Sequence, residues 1–108
     1  MYQIKNMNYN SKLGGNMGKT AFIFPGQGAQ YFGMGKDFFD KYEDSKKYFE
    51  EASKILGFDM EKMCFEENED LSNTQYTQAA MFTVCAAILQ QIEKTGVKPD
   101  VCAGLSLG

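Results

Sequence analysis

The feature that most constrains this chain is an apolar run that ends on Gly104-Leu105-Ser106-Leu107-Gly108. The pattern is Gly-x-Ser-x-Gly, in which two glycines let the backbone pass through a cramped turn and lift the serine hydroxyl clear of a sheet. Val101-Cys102-Ala103 leads into it and reads as a short buried strand. A helix following such a turn aims free N–H groups at the reacting oxygen. Ser106 is therefore the candidate nucleophile, weighed against a plain glycine-rich turn.

The preceding sequence supplies the rest of such a fold. Thr20-Ala21-Phe22-Ile23-Phe24 begins abruptly after a polar stretch, stops at Pro25, and predicts a buried strand. A Gly-rich loop runs on to about Gly35, and Phe38, Phe39 and Tyr42 then suit one face of a helix. In a second helix Tyr48, Phe49, Ala52, Ile55 and Leu56 share a stripe, with Asp44 or Ser45 as cap and Gly57 as a left-handed stop. Asp59 suits the cap of a short third helix that carries Met60, Met63 and Cys64 inward, and Glu66 to Asn73 reads as an acidic surface loop. From about Thr77 to Thr95 the chain is apolar nearly all round and predicts a buried helix, with Gly96 and Pro99 beyond it as stop signals. Strand, helices, buried helix, strand and tight turn, in that order, indicate an α/β fold with a parallel sheet.

Composition removes several classes of function. The 108 residues are 44% apolar, enough for the core of one small domain. Charge is −3 overall, scattered without a basic block, which argues against nucleic acid or an anionic membrane as partner. No run is long and apolar enough to span a bilayer or serve as a secretory signal, so a cytoplasmic location is expected. Cys64, Cys85 and Cys102 are widely spaced and there is no His to complete a metal set, so reduced, buried thiols are expected and no metal. All 11 basic residues are Lys, and none offers the planar fork that grips a carboxylate in bidentate fashion.

The first 16 residues lack periodicity and read as a flexible extension, with residues 17–108 forming the domain. Leu13-Gly14-Gly15-Asn16 can be encoded by a sequence like a bacterial ribosome-binding site, which makes Met17 a candidate start. Gly14 to Thr20 is no phosphate-binding loop, because Leu13 stands where the first glycine belongs and the strand follows the loop. Phe24-Pro25-Gly26-Gln27-Gly28-Ala29-Gln30 is a different kind of loop. Its glycines do not fit dinucleotide binding, since Tyr31 holds the third position. At the end of one parallel strand it can offer an N–H to a serine at the end of the next, which makes Gln27 and Leu107 candidate oxyanion donors.

These two motifs, with Asn73-Thr74-Gln75-Tyr76-Thr77-Gln78-Ala79-Ala80 between them, resemble the malonyl-CoA:acyl carrier protein transacylase family over about Met17 to Gly108. The resemblance implies the first part of a parallel-sheet, α/β-hydrolase-like acyltransferase domain that ends just after the nucleophile turn. It implies that Ser106 attacks a malonyl thioester, that the Gln27 and Leu107 N–H groups hold the oxyanion, and that Gln78 lines the substrate pocket. The acyl group would then pass to the phosphopantetheine thiol of acyl carrier protein, with malonyl-CoA as substrate and no cofactor. The family's usual His before the serine is Leu105 here, and a usual Pro is Ala79. The family's catalytic His and carboxylate-binding Arg have no counterpart in these residues, so residues 1–108 alone are expected to be inactive. A polyketide synthase acyltransferase domain and a serine hydrolase or thioesterase are the competing readings. The Phe-Pro-Gly-Gln-Gly loop disfavours the hydrolase, whose oxyanion loop is more often His-Gly-Gly-like.

Overall fold

A computed structural model describes residues 3–10 and 16–108. Three strands, β1 (Gln3–Asn10), β2 (Asn16–Phe24) and β3 (Val101–Gly104), form one sheet in the order β1-β2-β3. Four helices lie between β2 and β3 in sequence: α1 (Lys36–Lys41), α2 (Glu43–Leu56), α3 (Met60–Phe65) and α4 (Thr74–Lys94). β2 and β3 run parallel, with Ala21 opposite Val101 and Phe24 opposite Gly104, as the α/β reading requires. β1 pairs antiparallel with β2 and falls in the segment expected to be a flexible extension. Its sequence, Gln-Ile-Lys-Asn-Met-Asn-Tyr-Asn, lacks a clean alternation of apolar and polar residues, and only its pairing with β2 marks it as a strand. Leu13, Gly14 and Gly15, on which the ribosome-site reading rests, lie outside the described residues.

The core sits among the helices. Met34, Phe49, Met60, Cys64, Leu71, Met81 and Val84 are buried together, and the rings of Phe39, Phe49 and Phe65 meet at centroid distances of 5.2 to 5.3 Å. Local signals place the helix ends well. Gly57 caps α2 at φ 78°, and Asp59 caps α3 by accepting from the Lys62 N–H at 3.0 Å. The start of α2 differs from expectation. Tyr42 is its N-cap with no side-chain bond, while Ser45 is buried inside the helix and donates to the Ala87 carbonyl of α4 at 3.3 Å. α4 begins at Thr74, not Thr77, because Asn73 caps it.

Two burial expectations are corrected. One face of α4 carries Ala80, Val84 and Ala87 into the core, but Phe82 on the other is 69% exposed. β3 is exposed along its length, as is Cys102 within it, while Cys64 is buried and Cys85 half-buried. Periodicity reports that a face is apolar; what covers it is a matter of tertiary structure. Among the described residues no helix is long and apolar enough to cross a membrane.

Candidate active site

The parallel pairing of β2 and β3 puts the ends of both strands at one edge of the sheet, and each end opens into one of the two singled-out motifs. Leu105 donates its N–H to the Phe24 carbonyl at 3.2 Å, carrying the pairing one residue past β3. The chain then doubles back, and the Gly108 N–H reaches the Leu105 carbonyl at 3.0 Å. Ser106 stands at the apex of this turn with φ 57°, a left-handed conformation that non-glycine residues rarely adopt. Such strain persists only where the surroundings hold it, and it concentrates at functional sites.

The glycines show what holds it. A Cβ on Gly104 would collide with the Gly108 carbonyl, one on Gly108 with the Phe24 carbonyl, and one on Gly26 with the Leu105 carbonyl. A Cβ on Gly26 would also stand only 3.0 Å from Ser106 Cβ. Backbone thus packs directly on backbone, and the Pro25-Gly26-Gln27 loop rests against the serine turn. The loop is itself a turn, closed by the Ala29 N–H on the Gly26 carbonyl at 3.3 Å and by the Gly28 N–H on Gln30 Oε1 at 2.7 Å. Among the described residues no acceptor meets the N–H of Gln27 or of Leu107, so both remain available to an incoming oxygen.

Three of the four expected site residues, Ser106, Leu107 and Gln27, therefore gather at one sheet edge. Gln78 lies apart on α4, and shares with Leu107, Phe82, Tyr48 and Ile55 the walls of an apolar cleft of about 500 Å³. A smaller cavity of about 240 Å³ lies behind the turn, between Phe24, Leu107, Gly108, Met81 and Cys85. Burial raises the pKa of Cys85, which keeps this thiol protonated and a poor rival to the serine. Among the described residues nothing hydrogen-bonds to the Ser106 hydroxyl. What these residues offer is a presented hydroxyl and backbone donors, without a general base.

One partner was not legible in the sequence. Gln27 Nε2 donates to Thr74 Oγ1 at 2.9 Å, tying the loop to the first residue of α4 across 47 residues. Thr74 lies within the Asn73 to Ala80 motif, but nothing local marks it as reaching another loop.

The sequence profile described as the acyl transferase domain matches residues 21–108, from within β2 through the serine turn. The chain belongs to this family. Among the relatives of this acyl transferase domain, the malonyl CoA-acyl carrier protein transacylase of Bacillus subtilis is 40% identical over 93 residues, covering 85% of this chain and 29% of that protein. The polyketide biosynthesis protein PksE of the same organism is 44% identical over 89 residues, 81% of this chain and 11% of that protein. The crystal structure of malonyl CoA-acyl carrier protein transacylase from Clostridium perfringens superposes with a TM-score of 0.77 at 52% identity, covering 82% of this chain and 28% of that one. The acyl transferase domain seen here thus spans less than a third of the transacylases it matches.

Proposed function

We propose that this chain is the N-terminal portion of a malonyl-CoA:acyl carrier protein transacylase. In this reading Ser106 takes the malonyl group from coenzyme A as an ester and delivers it to the phosphopantetheine thiol of acyl carrier protein. The observation that carries the reading is the left-handed Ser106, wedged by backbone contacts against the Gln27 loop. Nucleophilic attack turns the thioester carbonyl oxygen into an oxyanion, and the unpartnered N–H groups of Gln27 and Leu107 are the donors for it. Gln78, on the cleft wall that Leu107 shares, lines the path of the acyl group. A serine hydroxyl needs a base, and the carboxylate of malonate needs a cation; both come from the two-thirds and more of the transacylase relatives that this chain does not span.

The family match beginning at residue 21 supports taking residues 17–108 as catalytic domain and the preceding residues as an extension, with Met1 and Met17 as the alternative starts. N-terminal sequencing of the natively expressed protein decides between them. The pathway is fatty acid synthesis in the cytoplasm, without nucleic acid or membrane as partner. The likeness to PksE makes polyketide synthesis the second reading.

Labelled malonyl-CoA and acyl carrier protein, incubated with the full-length protein, test the function. Label is expected on the carrier thiol, through an ester on Ser106, and Ser106→Ala abolishes both. Release of free malonate without carrier labelling would make the protein a thioesterase instead.

A further inference from the structure

Resting on that reading of the site, we propose that Thr74 is a positioning residue for the oxyanion donor Gln27. The loop that carries Gln27 is tightly packed on one side only. Gly26 is jammed against the Leu105 carbonyl and Ser106. Gly28, on the other side, sits at φ 108° with open space where a Cβ would be, so packing does not confine it. The peptide plane bearing the Gln27 N–H is held at its Gly26 carbonyl by the 3.3 Å bond from the Ala29 N–H, while the residue after Gln27 is the loosely packed Gly28, so Gln27 is the point at which the turn can rotate. The 2.9 Å bond from Gln27 Nε2 to Thr74 Oγ1 is a side-chain tether that opposes rotation on that loosely packed side.

Thr74 is a fixed anchor because the start of α4 is over-determined. The Asn73 N–H donates to the Asp70 carbonyl at 2.8 Å, and Asn73 Oδ1 caps the helix. The Asn73 carbonyl in turn accepts from the Thr77 N–H at 2.8 Å and from Thr77 Oγ1 at 2.9 Å. An oxyanion donor acts through its direction toward an oxygen that exists only as the reaction proceeds, so a small tilt lowers the rate while leaving thioester binding intact. Thr74 therefore governs kcat through Gln27 and touches no reacting atom.

The test uses the full-length protein, with active sites titrated so that misfolded molecules do not count. Thr74→Val keeps the shape and removes the hydroxyl, and is expected to lower kcat about tenfold, a fraction of the loss caused by deleting an oxyanion donor outright. KM is expected to stay within about twofold, and Thr74→Ser to restore the rate. In a Gln27→Met background Thr74→Val has no further effect, because the bond is already gone. An unchanged kcat in Thr74→Val, or losses that simply multiply in the double variant, would overturn the inference. Acylation of Ser106 by p-nitrophenyl acetate gives a second readout that needs no malonyl donor. A wild-type protein that reacts with the ester but moves no malonyl group would remove the transacylase reading, and the Thr74 variants would still decide this one. A Ser106 inert to both reagents in the wild type would overturn both.

Discussion

Ser106 combines the chemistry proposed for it with a conformational cost. An L-residue in the left-handed region costs on the order of 1–2 kcal/mol, and a side chain at Ser106 bears that cost whether or not it carries a hydroxyl. Ser106→Ala and Ser106→Gly are both expected to lose transfer, yet Ser106→Gly should be the more stable by about 1 kcal/mol in urea unfolding, since only glycine relaxes the turn. Equal midpoints for the two variants would show the turn to be unstrained. Cys64 gives a second prediction at this scale. Burial pushes its thiol up to about 12 from an ordinary 9.0, so the unfolded chain ionises there first. The contribution of Cys64 to stability is complete below pH 9.0 and falls as pH rises from there toward about 12. Cys64→Ala removes this alkaline slope, and Cys64 should resist alkylation at pH 8 until the protein unfolds.

Among the elements, local chemistry was the readable part. Gly57 and Asp59 end one helix and start the next as the sequence predicts, because a cap acts within its own turn. α4 starts three residues before the Thr77 at which its apolar pattern begins. Asn73 is as good a cap as any, but it closes a polar stretch that reads as loop up to its last residue. The extra turn gained there carries Thr74, so a small error of boundary concealed the anchor of the Gln27 loop. Thr77, expected to open the helix, is instead buried in its first turn, with Oγ1 2.5 Å from the Leu71 carbonyl and 2.9 Å from that of Asn73. Thr77→Val preserves volume but leaves the Leu71 carbonyl unpaired, and should cost about 1–3 kcal/mol. Asp59→Ala, which removes an exposed cap, should cost about 1 kcal/mol. The order of these two losses in chemical denaturation checks the assignment, and a Thr77→Val protein as stable as wild type would contradict it.

For the whole molecule, α/β architecture and the meeting of the two motifs followed from element order, because parallel strands put their ends at the same edge. Burial did not follow. The apolar runs of β3 and of the outer face of α4 are legible as apolar, but exposure is set by neighbouring surfaces that periodicity does not describe. The Gln27 to Thr74 contact was hidden for a related reason, since it depends on where α4 comes to rest relative to β2.

The clamp that joins β2 to β3 carries a consequence in time. Asp100 donates its N–H to the Thr20 carbonyl at 2.8 Å, and the Thr20 N–H returns to the Asp100 carboxylate at 2.6 Å, a pairing across 80 residues. Every helix is translated between those two points, and helices close short loops while this clamp closes a long one. On the ribosome and in refolding alike, the helical layer should therefore be in place before the serine turn can meet its loop. Pulse-labelled hydrogen exchange is expected to show core amides of α2 and α4 protected ahead of those of Asp100 and Leu105, and the reverse order would exclude this sequence of events. An intermediate halted before that last step would be well folded to most spectroscopic probes with its serine turn still unassembled, so closure of that turn is the latest signal of folding these residues can give.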